Sequence, residues 1–247
     1  MSSGNTNNNN ESLSAGGSPI LTHAQAAEWQ APAGEENIEQ ISAHIERHLG
    51  PVKTVFHEII SDMVHIDVHF VPPTASVPYL RLVTSGMSDL PMHMPANVDA
   101  PRHAELMITL PPDWKLDEAS FKNETWYWPV RLLKSLARLP HKHQTWIGWG
   151  HTIPHGDPAQ PYAPNTKFNG ALILPPLSAP EEFLELRIDA AKTIAFFAVV
   201  PLYEEEMQLK LSAGTDELLK RFDKHDLDDI VKPGRANLAR KKLFGLF

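Results

Sequence analysis

The run from Val64 to Val71 alternates apolar residues with three residues that are spaced as metal ligands can be, namely His65, Asp67 and His69. Alternate residues of a β-strand project from one face, so two imidazoles and a carboxylate would stand side by side. Zinc takes both kinds of ligand. The same alternation is also typical of the polar face of an ordinary amphipathic strand, and no clear further ligand is evident. The pattern predicts a strand and leaves a metal-dependent hydrolase as an alternative function.

A second group of titratable side chains crowds a loop between residues 141 and 157. Histidine can act as an acid, a base or a ligand near neutral pH. No HExxH sequence or comparable context accompanies the group, so the imidazoles of an ordered loop that bond to the backbone are the simpler interpretation. The alternative hydrolase would draw on the same residues, which are His141, His143, His151, His155 and Asp157.

Other chemistry-bearing patterns lack an essential part. Ser88 follows Ser85-Gly86-Met87, but Leu90 stands where a nucleophile elbow needs glycine, and no helix is predicted to follow. Gly148-Trp149-Gly150 has too few glycines for a phosphate loop. Glu204-Glu205-Glu206 could contact a basic partner, although glutamates in a first helical turn more often complement the helix dipole. We therefore predict no catalytic residues, no cofactor and no metal.

The elements that would position these residues follow from apolar periodicity and from Gly/Pro punctuation. Helices are predicted over residues 35–49, 125–139 and 202–211, and Pro140 is predicted to end the second of them. A last helix is predicted to follow Thr215, which would be its N-cap. Strands are predicted over residues 52–60, 64–71, 79–83, 104–110, 171–174, 183–188 and 193–200, the last of them central in the sheet. Consecutive strands with helices grouped elsewhere predict an α+β fold, a single domain with a mixed, mostly antiparallel sheet flanked by helices.

The predicted domain spans residues 35–232. Residues 1–34 are Asn-, Ser- and Gly-rich and are predicted to form a disordered low-complexity tail, with a short amphipathic piece near Leu21–Trp29. Residues 233–247 form a basic C-terminal tail that is expected to be mobile.

Composition limits the classes of function. The formal net charge is −8 for 247 residues, which argues against a nucleic-acid binder and permits a basic protein partner. The chain has no cysteine, which excludes disulfides, a thiolate nucleophile and cysteine-ligated zinc. No apolar stretch approaches the roughly 20 residues that span a bilayer, and no signal peptide is evident at the N-terminus. We therefore expect a cytoplasmic protein without a membrane partner.

Several long and unusual blocks of the sequence resemble the bacterial branch of the Suppressor of fused domain family. The resemblance covers about residues 35–232 in order. The blocks are LVTSGMSDLPM (82–92), AELMITLPPDW (104–114), WPVRLLKSLARLPH (128–141), WIGWGHTIP (146–154), GDPAQPYAPNT (156–166), LPPLSAPEEF (174–183), VVPLYEEEMQLKL (199–211) and ELLKRFDKHDLDDI (217–230).

The resemblance implies an α+β domain with no established catalytic activity. The animal namesake of the family is a cytosolic protein that sequesters transcription factors, and the bacterial members resemble immunity proteins that neutralise a cognate toxin. No counterpart of the namesake's additional C-terminal domain is evident, which favours the bacterial role. The expected function is therefore a non-enzymatic, protein-binding module, with a basic toxin domain as the candidate partner and a regulatory scaffold with a non-toxin partner as a further alternative.

Two loops, residues 85–97 and 146–165, are the predicted partner surface. Both are long, are rich in Met, Trp, Pro and His, and lie between regular elements, where recognition residues concentrate. The alternative is that their aromatic residues and prolines brace the core. The candidate contacts are Met87, Asp89, Met92, Trp149, His151 and Tyr162.

Overall fold

The computed structural model describes residues 12–21, 36–57 and 64–240. Within them an eight-stranded sheet forms the centre of the fold, with the order β3-β4-β5-β6-β10-β8-β7 and with β9 pairing alongside β10. Its strands are β3 (Thr54–Phe56), β4 (Asp67–Val71), β5 (Leu80–Ser85), β6 (His103–Leu110), β7 (Thr152–Pro154), β8 (Gly170–Leu174), β9 (Glu185–Arg187) and β10 (Thr193–Leu202). All pairings are antiparallel except β6 with β10, so the predicted mixed, mostly antiparallel sheet is confirmed.

Helices cover both faces of this sheet. The helices are α1 (Ile38–Leu49), α2 (Glu124–Lys142), α3 (Glu204–Ala213) and α4 (Thr215–Lys224). One face packs on α2 through the largest cluster, where Leu106 and Ile108 of β6 meet Trp128 and Leu133. The other face packs on α1 and, around β8 and β10, on α3 and α4. The α+β single-domain prediction is confirmed, and β10 is central as expected.

Alternation of side chains along β6 explains how one strand serves both layers. Leu106, Ile108 and Leu110 belong to the α2-facing cluster, whereas Met107 belongs to the cluster under α1. Successive side chains of a strand point to opposite faces, so a strand that is covered on both sides is apolar almost throughout. The next strand in the order, β10, is buried on both faces in the same way.

Pro140 does not end α2, and this prediction is corrected. The helix continues to Lys142, and the backbone N–H of His143 still bonds to the carbonyl of Leu139. A proline this near the end of a helix removes one hydrogen bond of the last turns. Burial of Pro140 and His141 against the core compensates for that loss.

Several predicted boundaries also shift. Strand β4 begins at Asp67 rather than at Val64, and the predicted 52–60 strand is observed only over Thr54–Phe56, with residues 58–63 outside the described part. The predicted 183–188 strand begins with a 3₁₀ turn, Glu181–Phe183. Thr215 is the first residue of α4 and not its cap, because Gly214 occupies the N-cap position.

The two predicted tails are described in part. Residues 12–21 form a short hairpin, β1 (Ser12–Leu13) with β2 (Pro19–Ile20), and the N–H of Gly16 donates to the carbonyl of Leu211. The rest of the predicted 1–34 tail, including residues 22–29 of its amphipathic piece, lies outside the described residues, as do residues 241–247. Among the described helices, none has the length and apolar character needed to cross a membrane.

Candidate functional site

Two of the three residues in the first predicted group, Asp67 and His69, are buried, and His65 is half-buried. Asp67 and His69 are exposed by only 1% and 0%, respectively. One carboxylate oxygen of Asp67 lies 2.8 Å from His57 Nδ1 and the other lies 3.1 Å from His65 Nε2. The carboxylate of Asp67 therefore links two imidazoles at the entrance to β4. His69 bonds elsewhere, with its Nε2 2.9 Å from Ser85 Oγ.

These contacts do not assemble a metal site. In the part of the chain that the structure describes, no group of three or more His, Cys, Asp or Glu side chains is arranged to hold a metal ion. Strand alternation correctly places Asp67 and His69 on one side of β4, but each side chain is engaged by a different partner. Shared direction along a strand is therefore not enough to converge ligands on one point.

Ser85 and His69 are placed like the nucleophile and the base of a catalytic triad, but the carboxylate of the triad is missing among the described residues. A serine hydrolase needs a carboxylate on the far ring nitrogen to orient the imidazole and to stabilise its charged form. Nδ1 of His69 is buried and has no hydrogen-bond partner among the described residues. Burial also lowers the pKa of His69 to about 4, which makes its imidazole a weak base at neutral pH.

The second histidine group is distributed over separate structural roles. His141 donates from Nε2 to the carbonyl of Met87 at 2.9 Å. His151 packs edge-on against Trp146, with a ring-centroid distance of 4.2 Å, and its pKa is lowered to about 4 by burial and by Lys210. His155 Nδ1 lies 2.7 Å from the carbonyl of Gln160. These imidazoles support backbone and aromatic contacts, as the simpler interpretation proposed.

The turn after β5 is fixed by a buried carboxylate that sequence reasoning missed. Glu105 of β6 is fully buried, and its two oxygens accept hydrogen bonds from Thr84 Oγ1 at 2.6 Å and from Ser88 Oγ at 2.6 Å. The backbone N–H of Ser88 donates to the same carboxylate at 2.9 Å. A glutamate in the apolar block AELMITL was the only available signal, because charge inside a buried strand demands partners.

Gly86 makes this turn possible. Its φ is +101°, a left-handed conformation that side chains other than glycine rarely adopt. A Cβ at this position would also overlap the carbonyl oxygen of His65, so no side chain fits without movement of the backbone. The 3₁₀ turn Met87–Asp89 then begins directly at this glycine.

Asp89 closes the turn beside a narrow cleft. The cleft is lined by Asp89, Gly86, Ser85, Asp67, His65 and Ile38. Burial and the neighbouring Glu105 raise the pKa of Asp89 to about 7, against a smaller opposing effect of Lys192. One oxygen of Asp89, Oδ2, is buried without a hydrogen-bond partner in the described part of the chain. An uncharged Asp89 is therefore favoured up to neutral pH.

Most of the predicted partner-contact residues lie inside the protein. Met87 is exposed by 0%, Met92 by 2%, Tyr162 by 3% and Asp89 by 7%. Tyr162 stacks on Trp128 with a centroid distance of 5.3 Å and an interplanar angle of 6°. Burial removes these four side chains from the surface that a partner could meet. The assignment of these residues to a partner surface is corrected accordingly, and they brace the core instead.

Of the other two predicted contacts, His151 is half-buried against Trp146, and Trp149 is 56% exposed. The backbone around it is nevertheless tightly held. The N–H of Gly150 donates to the carbonyl of Ile173 at 2.8 Å, and the N–H of Ile173 donates to the carbonyl of His151 at 2.9 Å. Gly148 lies against the ring of Trp146. The turn thus presents a large aromatic side chain to solvent from a fixed position at the β8 side of the sheet.

Comparisons with known proteins agree on one family. A family model described as Suppressor of fused protein matches residues 62–236. No curated protein sequence matches the chain.

Solved structures share this fold. A homologue from Neisseria gonorrhoeae FA 1090 superposes with a TM-score of 0.62 and 18% identity, over 84% of this chain and 100% of that one. A chain in a crystal structure of a Sufu–Fu complex superposes with a TM-score of 0.55 and 13% identity, over 85% of this chain and 93% of that one. At these identities the likeness concerns the fold.

Proposed function

The chain belongs to the Suppressor of fused family, and from that premise we propose that it is a non-enzymatic, protein-binding domain that acts as an immunity protein by neutralising a bacterial toxin domain. The observation that carries the proposal is the exposed Trp149 on a rigid turn. Tryptophan is over-represented among the residues that dominate binding energy at protein interfaces. Because the backbone of this turn is already fixed by hydrogen bonds, the turn loses little backbone entropy when a partner covers it.

Charge supports a basic partner. The formal net charge of −8 would attract a basic protein, such as a toxin that acts on nucleic acid, and would accelerate its association at low salt. A related protein has been crystallised in a Sufu–Fu complex, which supports protein binding as a use of this fold. The cytoplasm is the compartment we propose for the encounter.

The side chains around the narrow cleft beside Asp89 are consistent with a protein that binds and does not catalyse. The serine–histidine pair found there has no carboxylate behind its histidine in the described residues. The paired imidazoles of His57 and His65 are occupied by Asp67. We therefore place the function at the surface turn of Trp149 and not in the cleft.

The test begins with the protein encoded next to this chain's gene. Co-expression of the two proteins is expected to rescue growth that the neighbour alone arrests, and titration calorimetry is expected to show a stoichiometric complex. Trp149→Ala should weaken that complex at least about tenfold, which corresponds to about 1.4 kcal/mol.

Leu177→Ala is the matched control, since Leu177 is 61% exposed but lies on a different loop. Its affinity should equal that of the wild type. If no neighbouring product is toxic or binds, the immunity role is rejected. If both variants bind equally well, the Trp149 surface is rejected while binding itself stands.

A further inference from the structure

Glu206 forms a buried, two-pronged ion pair with Arg235. The glutamate is exposed by 0%, and its Oε1 and Oε2 lie 2.5 and 2.6 Å from the Nη1 and Nη2 atoms of the arginine. A planar guanidinium can donate two parallel hydrogen bonds to one carboxylate, whereas a lysine ammonium cannot match that fork. The pair is therefore specific for arginine.

Aromatic rings and carbonyls complete a cage around the same guanidinium. Its central carbon lies 4.9 Å from the ring centroid of Tyr203, 5.2 Å from that of Phe168 and 5.9 Å from that of Phe222. Nη2 also donates to the carbonyl of Pro201 at 3.0 Å. Stacking rings and a desolvated carboxylate together favour a weakly hydrated guanidinium over an ammonium.

The segment that carries Arg235 resembles a peptide bound in a groove. Residues 231–240 form no helix or strand, and most of them are exposed or half-buried. Val231 and Leu238 are buried, and Leu238 packs with Leu218 and Phe222. A few inserted anchors separated by exposed residues are typical of a ligand segment that lies across a preformed surface.

From Arg235 onward this segment is attached by its side chains and by its own backbone. The N–H of Leu238 donates to Glu206 Oε1 at 3.0 Å, and the Tyr203 hydroxyl donates to the carbonyl of Arg235 at 2.7 Å. The N–H of Arg235 closes a turn onto the carbonyl of Lys232, and Gly234 within it has a φ of +74°. Beyond this turn, Asn237 and Arg240 both bond to Glu205. Exchange of residues 235–240 for another segment would therefore break no strand and no helix.

We propose that the cage at Glu206 is an arginine-recognition site, which the chain's own Arg235 occupies and which an arginine-bearing segment of the basic partner can occupy in its place. This inference rests on the proposed binding function and names the chemistry of the contact. The tethered arginine competes at an effective concentration on the order of millimolar, so weakly basic peptides are excluded. A true partner must add contacts elsewhere, for which the Trp149 turn is available.

The test uses the full chain and a labelled synthetic peptide with the sequence of residues 230–240. Arg235→Ala empties the cage of its tethered guanidinium. Fluorescence anisotropy should show that the arginine peptide binds this variant at least about tenfold more tightly than it binds the wild type. The same peptide carrying Arg235→Lys should bind the variant at least about tenfold more weakly than the arginine peptide.

Equal affinity of the two peptides, or no binding to the Arg235→Ala chain, would overturn the proposal. A second measurement covers the case in which that variant does not fold. Saturating arginine peptide should accelerate amide hydrogen exchange in residues 235–240 of the wild-type chain, and the lysine peptide should not. Unchanged exchange would show that the segment is a fixed part of the fold.

The two proposals can fail separately. The peptide assay requires no toxin, so an absent toxin removes the immunity role without touching the arginine site. Conversely, a partner that needs Trp149 but ignores the arginine peptide leaves the binding function intact and removes only the cage as its contact.

Discussion

The loops 85–97 and 146–165 have similar compositions but opposite placements. Met87 in the first is fully buried, whereas Trp149 in the second is 56% exposed. The first loop begins with a turn that curls inward onto the carboxylate of Glu105, which needs donors because it is buried. The second loop has its turn fixed by backbone bonds to β8, which leave the side chain of Trp149 facing solvent.

The structural neighbours of each loop, and not its amino-acid composition, therefore determine its role. Burial raises the pKa of the Glu105 carboxyl group, which still needs hydrogen-bond partners and so draws the chain inward. Backbone bonds to a strand can hold a turn without burying its side chains. One loop therefore contributes mainly to stability and the other is available for recognition. Substitutions in the two loops should separate these contributions.

Gly86→Ala is expected to have the largest effect, with a loss of about 5 kcal/mol in the free energy of unfolding. The new Cβ would overlap the His65 carbonyl oxygen at a φ of +101°. Gly150→Ala is the matched control in the other loop, because it has a φ of +79° but only an ordinary contact, 3.5 Å from Thr215 Cγ2. It should lose about 1 kcal/mol. Urea unfolding of both variants gives the values, and equal losses would refute the distinction.

Glu105→Ala should destabilise the fold by about 3 kcal/mol. The change leaves three donors without their acceptor, namely the hydroxyls of Thr84 and Ser88 and the backbone N–H of Ser88. Glu182→Ala, an exposed glutamate of another loop, serves as the control and should be neutral within about 0.5 kcal/mol. Denaturant melts at pH 7 measure both. A neutral Glu105→Ala variant would mean that the carboxylate does not hold the turn.

Asp89→Asn should stabilise the protein in a pH-dependent way. Because the pKa of Asp89 is raised to about 7 from 3.8, ionisation favours the unfolded chain, and wild-type stability falls as pH rises between these two values. The asparagine of the variant does not ionise, so its folded state does not lose stability at this position as the pH rises. Its advantage should be near zero at about pH 4 and reach about 2 kcal/mol above about pH 7, which is roughly half of what the full shift implies, to allow for solvent screening.

The measurement for Asp89→Asn is the difference between variant and wild-type unfolding free energies from about pH 4 to about pH 8, the range that brackets the shift. Taking the difference cancels the buried histidines, whose lowered pKa values act in the opposite direction. His69 and His151, for example, have pKa values of about 4. A difference that does not change with pH would show that the Asp89 carboxyl titrates normally.

Trp149→Ala should have the smallest effect on stability, below about 0.5 kcal/mol, because the turn is held by backbone bonds that the substitution keeps. Trp128→Ala offers the contrast, since this tryptophan is 1% exposed and its loss should cost about 4 kcal/mol. Thermal unfolding of the two variants is sufficient. A large loss of unfolding free energy for Trp149→Ala would mean that the 148–151 turn contributes to stability as the Gly86 turn does.

Much of the fold could be predicted from local patterns. Apolar alternation located β6, three- and four-residue spacing located α1 and α2, and the long sequence blocks identified the family. The candidate site was predictable only as a pair of loops. Trp149 could not be separated from Trp128 by sequence, because residue type is equally suited to core and interface.

The class of fold, the family and the absence of cysteine chemistry can be inferred from the sequence alone, because periodicity, long blocks and composition are local properties of the chain. Which polar groups come into contact depends on the tertiary fold. Glu105 with Ser88 and Glu206 with Arg235 are joined over 17 and 29 residues, respectively. Such contacts depend on how sheet and helices pack, because a buried carboxyl group is tolerated only where a distant residue supplies hydrogen-bond donors.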